Sequence, residues 1–387
     1  MEQNREQSRR FTLDGSEALE KNLAQICDKV LADIRALLPE GRLEALLLGG
    51  GYGRGEGGVL KTESGDEPYN DLEFYVCLRG NRFFNERKLG RAFHDLSERL
   101  SAEAGLEVEF KITSLRKIKH DPPSMFFYDL VTGHRLLSGA ADFSDCPQHR
   151  DATKIPLSEA TRLLMNRCSG LLFAKEKLQH DPFTASDADF VGRNQAKAQL
   201  AFGDVVLVVH GQYHFSCRER NRRLGVMASE ENLPWLDEVR RQHAQGVEFK
   251  LHPQKKNSAK NEFEKKQREL SDLGWQLWRW LENRRLHRVF ISPRDYALSP
   301  VNKCPETHPF RNRLANFKNS GLASLFKKNS AHYPRERILH ALPLLLWEPD
   351  ALEIPELLQK IQSELQTSAT DFTGLLAAYR SLWRRFN

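Results

Sequence analysis

Two carboxylates and a run of glycines lie close together in the first quarter of the chain. The glycine-rich run GGGYGRGEGG occupies residues 49–58, and Asp71 and Glu73 follow it in the stretch NDLEFYVCL. Side chains two residues apart on a β-strand leave the same face, so both carboxylates would point the same way. Mg²⁺ prefers oxygen ligands and commonly shares its sites with substrate phosphates. The spacing therefore predicts a strand-borne metal site.

The glycine run could bind the phosphates of a substrate whose metal ion the two carboxylates hold. Converging backbone N–H groups bind phosphate well, and glycine allows that concavity to form without side-chain obstruction. Arg54, within the run, adds a positive charge for phosphate oxygens. The run is neither a dinucleotide-binding fingerprint nor a P-loop, because no GxGxxG opens a βαβ unit and no GK[ST] follows. An isolated acid pair on a strand is usually an exposed polar face; the adjacent glycines favour a site for a magnesium–nucleotide complex.

The elements that must position these residues form a small α/β unit. Apolar residues at helical spacing predict helices over 16–38 and 84–104, the first capped by Ser16. An apolar run predicts a buried strand at 43–48. Alternation predicts strands at 71–78 and 106–115. On the last strand, Glu107, Glu109 and Lys111 would share one face.

Residues 43–139 resemble the minimal catalytic core of the DNA polymerase β-like nucleotidyltransferase superfamily. In that family an apolar strand leads into Gly-Gly or Gly-Ser, often with Arg-Gly after it, and a second strand carries Asp-apolar-Asp/Glu. A later strand brings a third carboxylate. Here Gly50-Gly51, Arg54-Gly55 and Asp71-Leu72-Glu73 match these motifs, and Glu109 best matches the third acid, with Glu107 as the alternative. Two departures are the insert KTESGDEP, which lengthens the loop before Asp71, and Glu in place of the commoner Asp at residue 73.

The resemblance implies a nucleotidyltransferase-like α/β (α+β) core with a small mixed sheet, followed by a mainly α-helical domain. It implies catalytic carboxylates that also ligate two Mg²⁺ ions, or Mn²⁺ in their place: Asp71, Glu73 and Glu109. It implies that Gly50, Gly51, Arg54 and Gly55 bind the nucleotide phosphates. In several such enzymes a helical domain closes over the nucleotide, and Lys197 and Arg218 are candidates to reach the triphosphate from there.

Three regions are expected along the chain. Residues 1–150 form the catalytic domain, 151–290 a helical domain that closes over substrate or nucleotide, and 291–387 a loop-rich basic segment followed by C-terminal helices. Strand signals nearly vanish after residue 155. Residues 291–332 are rich in Pro, Asn, Ser and Lys, which predicts loops there.

Composition and charge narrow the class of protein. Forty per cent hydrophobic and 28% charged residues are typical of a globular chain. The six cysteines are scattered without a CxxC pair, which favours reduced thiols in a cytoplasmic protein. No apolar run is long enough to span a membrane, so no membrane partner is expected. The net charge is +6, yet residues 240–330 contain 20 Lys and Arg against 8 Asp and Glu. This segment could contact a polyanion or simply face water.

Three functions remain open at this point. The first is an enzyme that transfers a nucleoside monophosphate from an NTP to a hydroxyl of a small molecule or protein, releasing pyrophosphate. The second is a template-independent terminal nucleotidyltransferase acting on RNA, which the basic segment favours. The third is a nucleotide-binding regulator or antitoxin-like module without turnover. Crowded carboxylates argue against the third, because like charges held together cost free energy.

Overall fold

The computed structural model describes residues 10–228, 233–254, 259–322 and 331–386. Its strands are β1 (Leu43–Leu48), β2 (Val59–Thr62), β3 (Gly65–Pro68), β4 (Leu72–Leu78), β5 (Val108–Thr113) and β6 (Arg135–Gly139). Its first helices are α1 (Glu17–Leu37), α2 (Gly50–Gly53), α3 (Arg82–Ala104), α4 (Leu115–His120) and α5 (Met125–Gly133). The later helices are α6 (Leu157–Lys177), α7 (Ala185–Val209), α8 (Cys217–Val226), α9 (Leu236–Leu251), α10 (Lys260–Leu286), α11 (Pro293–Leu298), α12 (Pro309–Ser320), α13 (Arg335–Trp347), α14 (Pro355–Leu365) and α15 (Phe372–Phe386).

Four of the strands form a mixed sheet in the order β5-β4-β1-β6. β1 pairs antiparallel with β4 and with β6, whereas β4 and β5 run parallel and are joined through α3. A parallel pair requires such a crossover connection because its strands start at the same edge. The expected small mixed sheet followed by a mainly helical chain is confirmed.

Alternation along the strands decides which helices cover each face. Leu46, Leu48, Phe74 and Val76 pack on one face against apolar residues of α1 and α3. Their strand neighbours Ala45, Leu47, Tyr75 and Cys77 belong to the core of the other face, together with residues of α4 and α5. Because Asp71 and Glu73 are in phase with Tyr75, they lie on the α5 side of the sheet.

The insert before Asp71 folds as a hairpin. β2 and β3 pair antiparallel from Val59↔Pro68 to Thr62↔Gly65, so the expectation of a plain loop was wrong there. Gly65, with φ of +124°, makes the tight reversal possible. The hairpin adds length between the glycines and Asp71 without removing β4 from the sheet.

Contacts divide the chain into two units that interleave in sequence. The first comprises residues 1–156, 206–230 and 243–255, and the second 157–205, 231–242 and 256–387. α7 and α9 therefore contribute residues to both. The boundaries expected near residues 150 and 290 did not include this interleaving. It depends on contacts between residues that are far apart in sequence.

The second unit is helical. Trp278 and Leu281 of α10 are fully buried, so the Trp-rich stretch of this helix contributes to the core. Residues 291–332 were expected to be loop, but α11 and α12 lie there, each with proline at its first turn, where proline needs no backbone donor. Residues 323–330 of that range lie outside the described residues. Within the described residues, none of the helices combines the length and apolar character required to cross a bilayer.

Candidate active site

The glycine run turns immediately after the end of β1 in the chain and packs against β4. Gly50 has φ of +61°, and a Cβ atom there would lie 2.9 Å from Glu73 Oε1. At Gly53 a Cβ atom would lie 2.2 Å from the carbonyl oxygen of Leu48. Glycine at both positions is therefore a steric requirement. The Glu73 carboxylate consequently lies against the backbone of the turn.

A tyrosine inside the turn ties it to the residues just before Asp71. Tyr52 is fully buried, and its hydroxyl donates to the Gly58 carbonyl at 3.0 Å. The same oxygen accepts the Tyr69 N–H at 2.9 Å, and Asn70 Oδ1 accepts the Gly58 N–H at 2.9 Å. These hydrogen bonds hold the start of β4, and with it Asp71, beside the glycine turn.

Strand register places Glu109 beside Glu73. Glu73 pairs directly with Glu109 across the parallel β4–β5 ladder. Burial raises the pKa of Asp71, and the negative charges of Glu73, Glu109 and Glu107 raise it further. The four acids, which we call the acidic cluster, are therefore close enough to repel one another. The sequence left Glu107 and Glu109 open; the register favours Glu109 as the partner of Glu73.

A lysine bridges two members of the acidic cluster. Lys111 Nζ lies 3.0 Å from Glu73 Oε2 and 3.3 Å from Glu109 Oε2. Tyr75 also donates its hydroxyl hydrogen bond to Glu73, at 2.9 Å. Burial acts to raise the pKa of Glu73, but Lys111 and Tyr75 outweigh it, so this pKa is lowered. Lys111 thus places a positive charge between two carboxylates.

Arg54, within the glycine run, is a largely buried and incompletely paired cation. Its side chain is 11% exposed, and Nη1 lies 3.4 Å from Asp129 Oδ2, a long distance for such a pair. Its buried Nε has no hydrogen-bond partner among the described residues. Tyr213 donates to the same Asp129 oxygen at 3.2 Å and accepts from Arg220 at 2.6 Å. The hydrogen-bonding capacity of the Arg54 guanidinium is therefore not fully used in this arrangement.

Glu56 anchors the glycine turn to α8. This carboxylate is 4% exposed and accepts the Ser216 hydroxyl at 2.5 Å and the Cys217 N–H at 2.8 Å. A negative charge at a helix N-terminus is favourable because the first N–H groups lack intrahelical acceptors. Burial acts to raise the pKa of Glu56, but those hydrogen bonds and the Lys250 charge leave it lowered. Residues 216–218 thereby belong to the first unit.

Replacement of Glu56 by glutamine should lower the free energy of unfolding of the first unit by about 1–3 kcal/mol, because a buried charged acceptor is lost. The lowered pKa gives the carboxylate a stabilising contribution that is complete above its unfolded value of about 4.3 and disappears as the pH falls through the folded value. Urea unfolding at neutral pH and at about pH 3 should show the deficit of Glu56→Gln shrinking in acid. Glu40→Gln, at an exposed position, is the control; a deficit independent of pH would contradict the assignment.

Lys250 adds a second cation near Arg54. Burial lowers its pKa, repulsion from Arg54 and Arg220 lowers it further, and Cys217 and Glu56 act in the opposite direction. The backbone carbonyl of Lys250 packs close to Gly58, where a Cβ atom would lie 2.9 Å away. Arg54 and Lys250 together form what we call the cation pair, beside the glycine turn.

The remaining predicted residues are placed as follows. Gly51 and Gly55 lie within the turn, Gly55 with φ of +74°. Arg218 lies on α8; its side chain is exposed and its backbone N–H reaches Glu56 Oε1 only at 3.5 Å. Lys197 is exposed on α7 within the second unit, so it is not among the residues that the first unit brings together.

Sequence reasoning missed several residues of this arrangement. Lys111 was placed on the correct face of β5, but its pairing with Glu73 depends on register. Glu56, Asp129 and Lys250 carry no motif that would mark them. Their roles follow from contacts with residues distant in the chain.

Comparison with known proteins yields no match: no protein-family model, no curated protein and no solved structure is similar to this chain. Among the described residues, no three His, Cys, Asp or Glu side chains stand ready to hold a metal ion as they are arranged here. The case for a function therefore depends on the geometry of the acidic cluster and the glycine turn.

Proposed function

We propose that the protein is a metal-dependent nucleotidyltransferase that moves a nucleoside monophosphate from an NTP to an acceptor hydroxyl. The observation that carries the proposal is that Glu73 lies against Gly50 of the glycine turn, pairs with Glu109 across the β4–β5 ladder and shares its strand face with Asp71. Carboxylates on neighbouring strands and a glycine turn followed by Arg54 are the parts that a magnesium–triphosphate complex requires.

The acidic cluster fits Mg²⁺ by its chemistry. Its donors are hard carboxylate oxygens that are partly exposed, and burial together with their mutual repulsion raises the pKa of Asp71. A divalent cation would relieve this repulsion. Lys111 must then release Glu73 and Glu109, which its partly exposed and flexible side chain permits. Bound Mg²⁺ supplies positive charge to the attacking and leaving oxygens.

The protein's own groups divide the remaining tasks. Backbone N–H groups of the glycine turn and the cation pair hold the β- and γ-phosphates. Glu109 accepts the proton of the acceptor hydroxyl. The hydroxyl oxygen forms a bond to the α-phosphorus while the bond from that phosphorus to the bridging oxygen breaks, and pyrophosphate leaves. Positioning and charge stabilisation account for most of the catalysis in such reactions.

An open groove at the edge of the sheet reaches Glu109, and we propose that an acceptor enters the acidic cluster from this edge. The groove runs between α3 and the edge strand β5, has a volume of about 970 Å³, and reaches Glu107, Glu109 and Lys111. Its charged lining has four carboxylates, Glu86, Glu98, Glu107 and Glu109, against Arg82 and Lys111, with His94 beside them. A surplus of negative charge repels a phosphodiester backbone. The groove therefore favours a cationic small molecule or a basic protein segment over RNA as acceptor.

Lys111 favours a second candidate, the nucleotide-binding regulator without turnover. An ammonium group already neutralises two of the three carboxylates, as it would in a site that has lost its metal. This candidate predicts NTP binding that does not depend on divalent cations.

One experiment separates the candidates. The pure protein is incubated with each α-³²P-labelled NTP, with Mg²⁺ or Mn²⁺ and a fractionated lysate as the source of acceptors; Asp71→Asn/Glu73→Gln is the control. Label on a small molecule or protein that is absent with the control variant supports transfer. Label on RNA would support the terminal transferase. Metal-independent NTP binding without label would support the regulator, and absence of NTP binding would contradict the proposed role of the glycine turn.

Lys111→Met should lower the Mg²⁺ concentration that gives half-maximal thermal stabilisation by several-fold. The ammonium group and the metal compete for the same carboxylate oxygens, so removing one strengthens binding of the other. Thermal unfolding across a MgCl₂ titration at constant ionic strength measures this shift. Lys88→Met, at an exposed position on α3, is the matched control. The same Mg²⁺ dependence in parent and Lys111→Met would show that no metal binds between Glu73 and Glu109.

A further inference from the structure

Helix α12 of the second unit is oriented with polar side chains towards the protein. Asn312 and Asn316, one turn apart, are each 2% exposed. Asn312 Nδ2 donates to the Ala331 carbonyl at 2.9 Å, and Asn316 Nδ2 donates to the His332 carbonyl at 2.9 Å. Amide hydrogen bonds to backbone, rather than an apolar stripe, therefore attach this helix.

The opposite face of α12 is apolar and faces outward. Phe310, Leu314 and Phe317 are 69%, 45% and 40% exposed. Their spacing of four and then three residues places them in one stripe along the helix. In a surface helix the apolar stripe normally faces the core, so α12 has the reverse arrangement. A stripe of this kind indicates an interaction surface.

Cations flank this stripe on both sides. At about 100° per residue, Arg311 and Lys318 fall on one flank and Arg313 on the other. All three are exposed, and the helix PFRNRLANFKNS contains no acidic residue. Apolar residues along the centre with Lys and Arg at both edges match the interface of a bilayer, where cations reach headgroups while apolar side chains enter the acyl region.

The charge pattern favours an anionic lipid surface over other partners. A second copy of this chain would bring cations against cations across a two-fold contact. A nucleic acid strand would place its phosphates against cations, yet here Leu314 and two phenylalanines occupy the centre of the face. We propose that α12 attaches the protein reversibly to bilayers that contain anionic lipid. This surface contact does not require a membrane-spanning helix, and it does not depend on the proposed nucleotidyl transfer.

The full chain is tested by co-sedimentation with phosphatidylcholine vesicles, with and without phosphatidylserine. Binding is expected only with phosphatidylserine, and salt should weaken it. Phe310→Ser/Phe317→Ser should reduce that binding on the order of tenfold or more. Its matched control is Phe83→Ser/Phe84→Ser, which removes two phenylalanines of 65% and 67% exposure on α3. The control should bind like the parent.

The charge contribution has its own pair of variants. Arg311→Gln/Arg313→Gln/Lys318→Gln should reduce binding on the order of tenfold or more, whereas Arg87→Gln/Lys88→Gln/Arg91→Gln, which removes three exposed cations of α3, should not. Hydrogen exchange with vesicles present should show new protection at residues 309–320. Circular dichroism checks that each variant is folded.

Several outcomes would overturn the inference. The first is that the protein does not sediment with vesicles that contain phosphatidylserine, and the second is that it binds both kinds of vesicle equally. The third is that the α12 and α3 variants lose the same amount of vesicle binding, and the fourth is that vesicles protect amides outside residues 309–320 from hydrogen exchange. Unchanged sedimentation together with loss of polyuridylate binding in the α12 charge variant would assign the surface to RNA instead.

Discussion

Asp71→Asn, Glu73→Gln and Glu109→Gln should each lower metal-dependent nucleotidyl transfer on the order of a thousandfold. A ligand that holds a catalytic cation contributes several kcal/mol to transition-state stabilisation, and each ~1.4 kcal/mol is a factor of ten in rate. These substitutions keep the shape of the side chain and remove the charge. The measurement is the initial rate of label transfer to the acceptor identified with the parent protein.

Glu107→Gln is the matched control for Glu109→Gln. Both residues lie on or beside the same edge strand, but Glu109 pairs with Glu73 and raises the pKa of Asp71 more than Glu107 does. Glu107→Gln should retain most of the activity. The reverse order of effects would assign the third carboxylate to Glu107, and retention of activity in all four variants would contradict catalysis at this cluster.

Stability gives an independent signature of the same site. Because burial and the neighbouring carboxylates raise the pKa of Asp71, its ionised form is held at a cost in free energy. Asp71→Asn should therefore unfold at the same or a higher temperature than the parent while losing activity. A structural role for Asp71 would instead lower the unfolding temperature.

Arg54→Gln and Lys250→Met should each weaken NTP binding by about 10- to 100-fold, which corresponds to the loss of one charge-assisted contact to phosphate. Within the described part of the chain the buried Nε of Arg54 has no hydrogen-bond partner, and burial and neighbouring cations lower the pKa of Lys250. An anionic triphosphate would accept a hydrogen bond from Arg54 and would reduce the charge repulsion at Lys250. Equilibrium binding of a fluorescent NTP at several salt concentrations measures the effect, and each variant should also show a shallower salt dependence.

Two exposed cations of α3 provide controls that match these charge changes. Arg91→Gln corresponds to Arg54→Gln, and Lys88→Met corresponds to Lys250→Met. Both controls should bind NTP like the parent. Unchanged affinity in Arg54→Gln and Lys250→Met, with normal unfolding temperatures, would show that the phosphates bind elsewhere. Weaker NTP binding by the two controls as well would indicate only a general effect of net charge.

Much of the first unit was predictable from local patterns. Alternation in NDLEFYVCL predicted β4 and placed Asp71 and Glu73 on one face, because side chains of a strand alternate whatever the strand packs against. Ser16 was expected to cap α1, and its side chain accepts the Leu19 N–H. These signals lie within a few residues of one another, so they can be read without knowing the rest of the fold.

In residues 291–332 the prediction depended on amino-acid composition alone and was misleading. Prolines and polar residues in 291–332 predicted loops, although Pro293 and Pro309 instead open α11 and α12. Proline at the first helical turn is favourable, whereas inside a helix it is not. The direction in which α12 faces was also not predictable, because it depends on the carbonyl groups of residues 331 and 332 that its asparagines meet.

The sequence by itself determined β1, β4, β5, α1 and α3 of the first unit, the glycine-rich turn after β1, and the shared face of Asp71 and Glu73. Only the tertiary structure decided that Glu109 pairs with Glu73, that Lys111 bridges them, and that Glu56 accepts hydrogen bonds from Ser216 and Cys217 at the start of α8. The physical reason is the range of the interactions involved. Helix and strand periodicity and capping act between near neighbours in the chain, whereas register, buried ion pairs and long-range caps depend on how distant segments pack together.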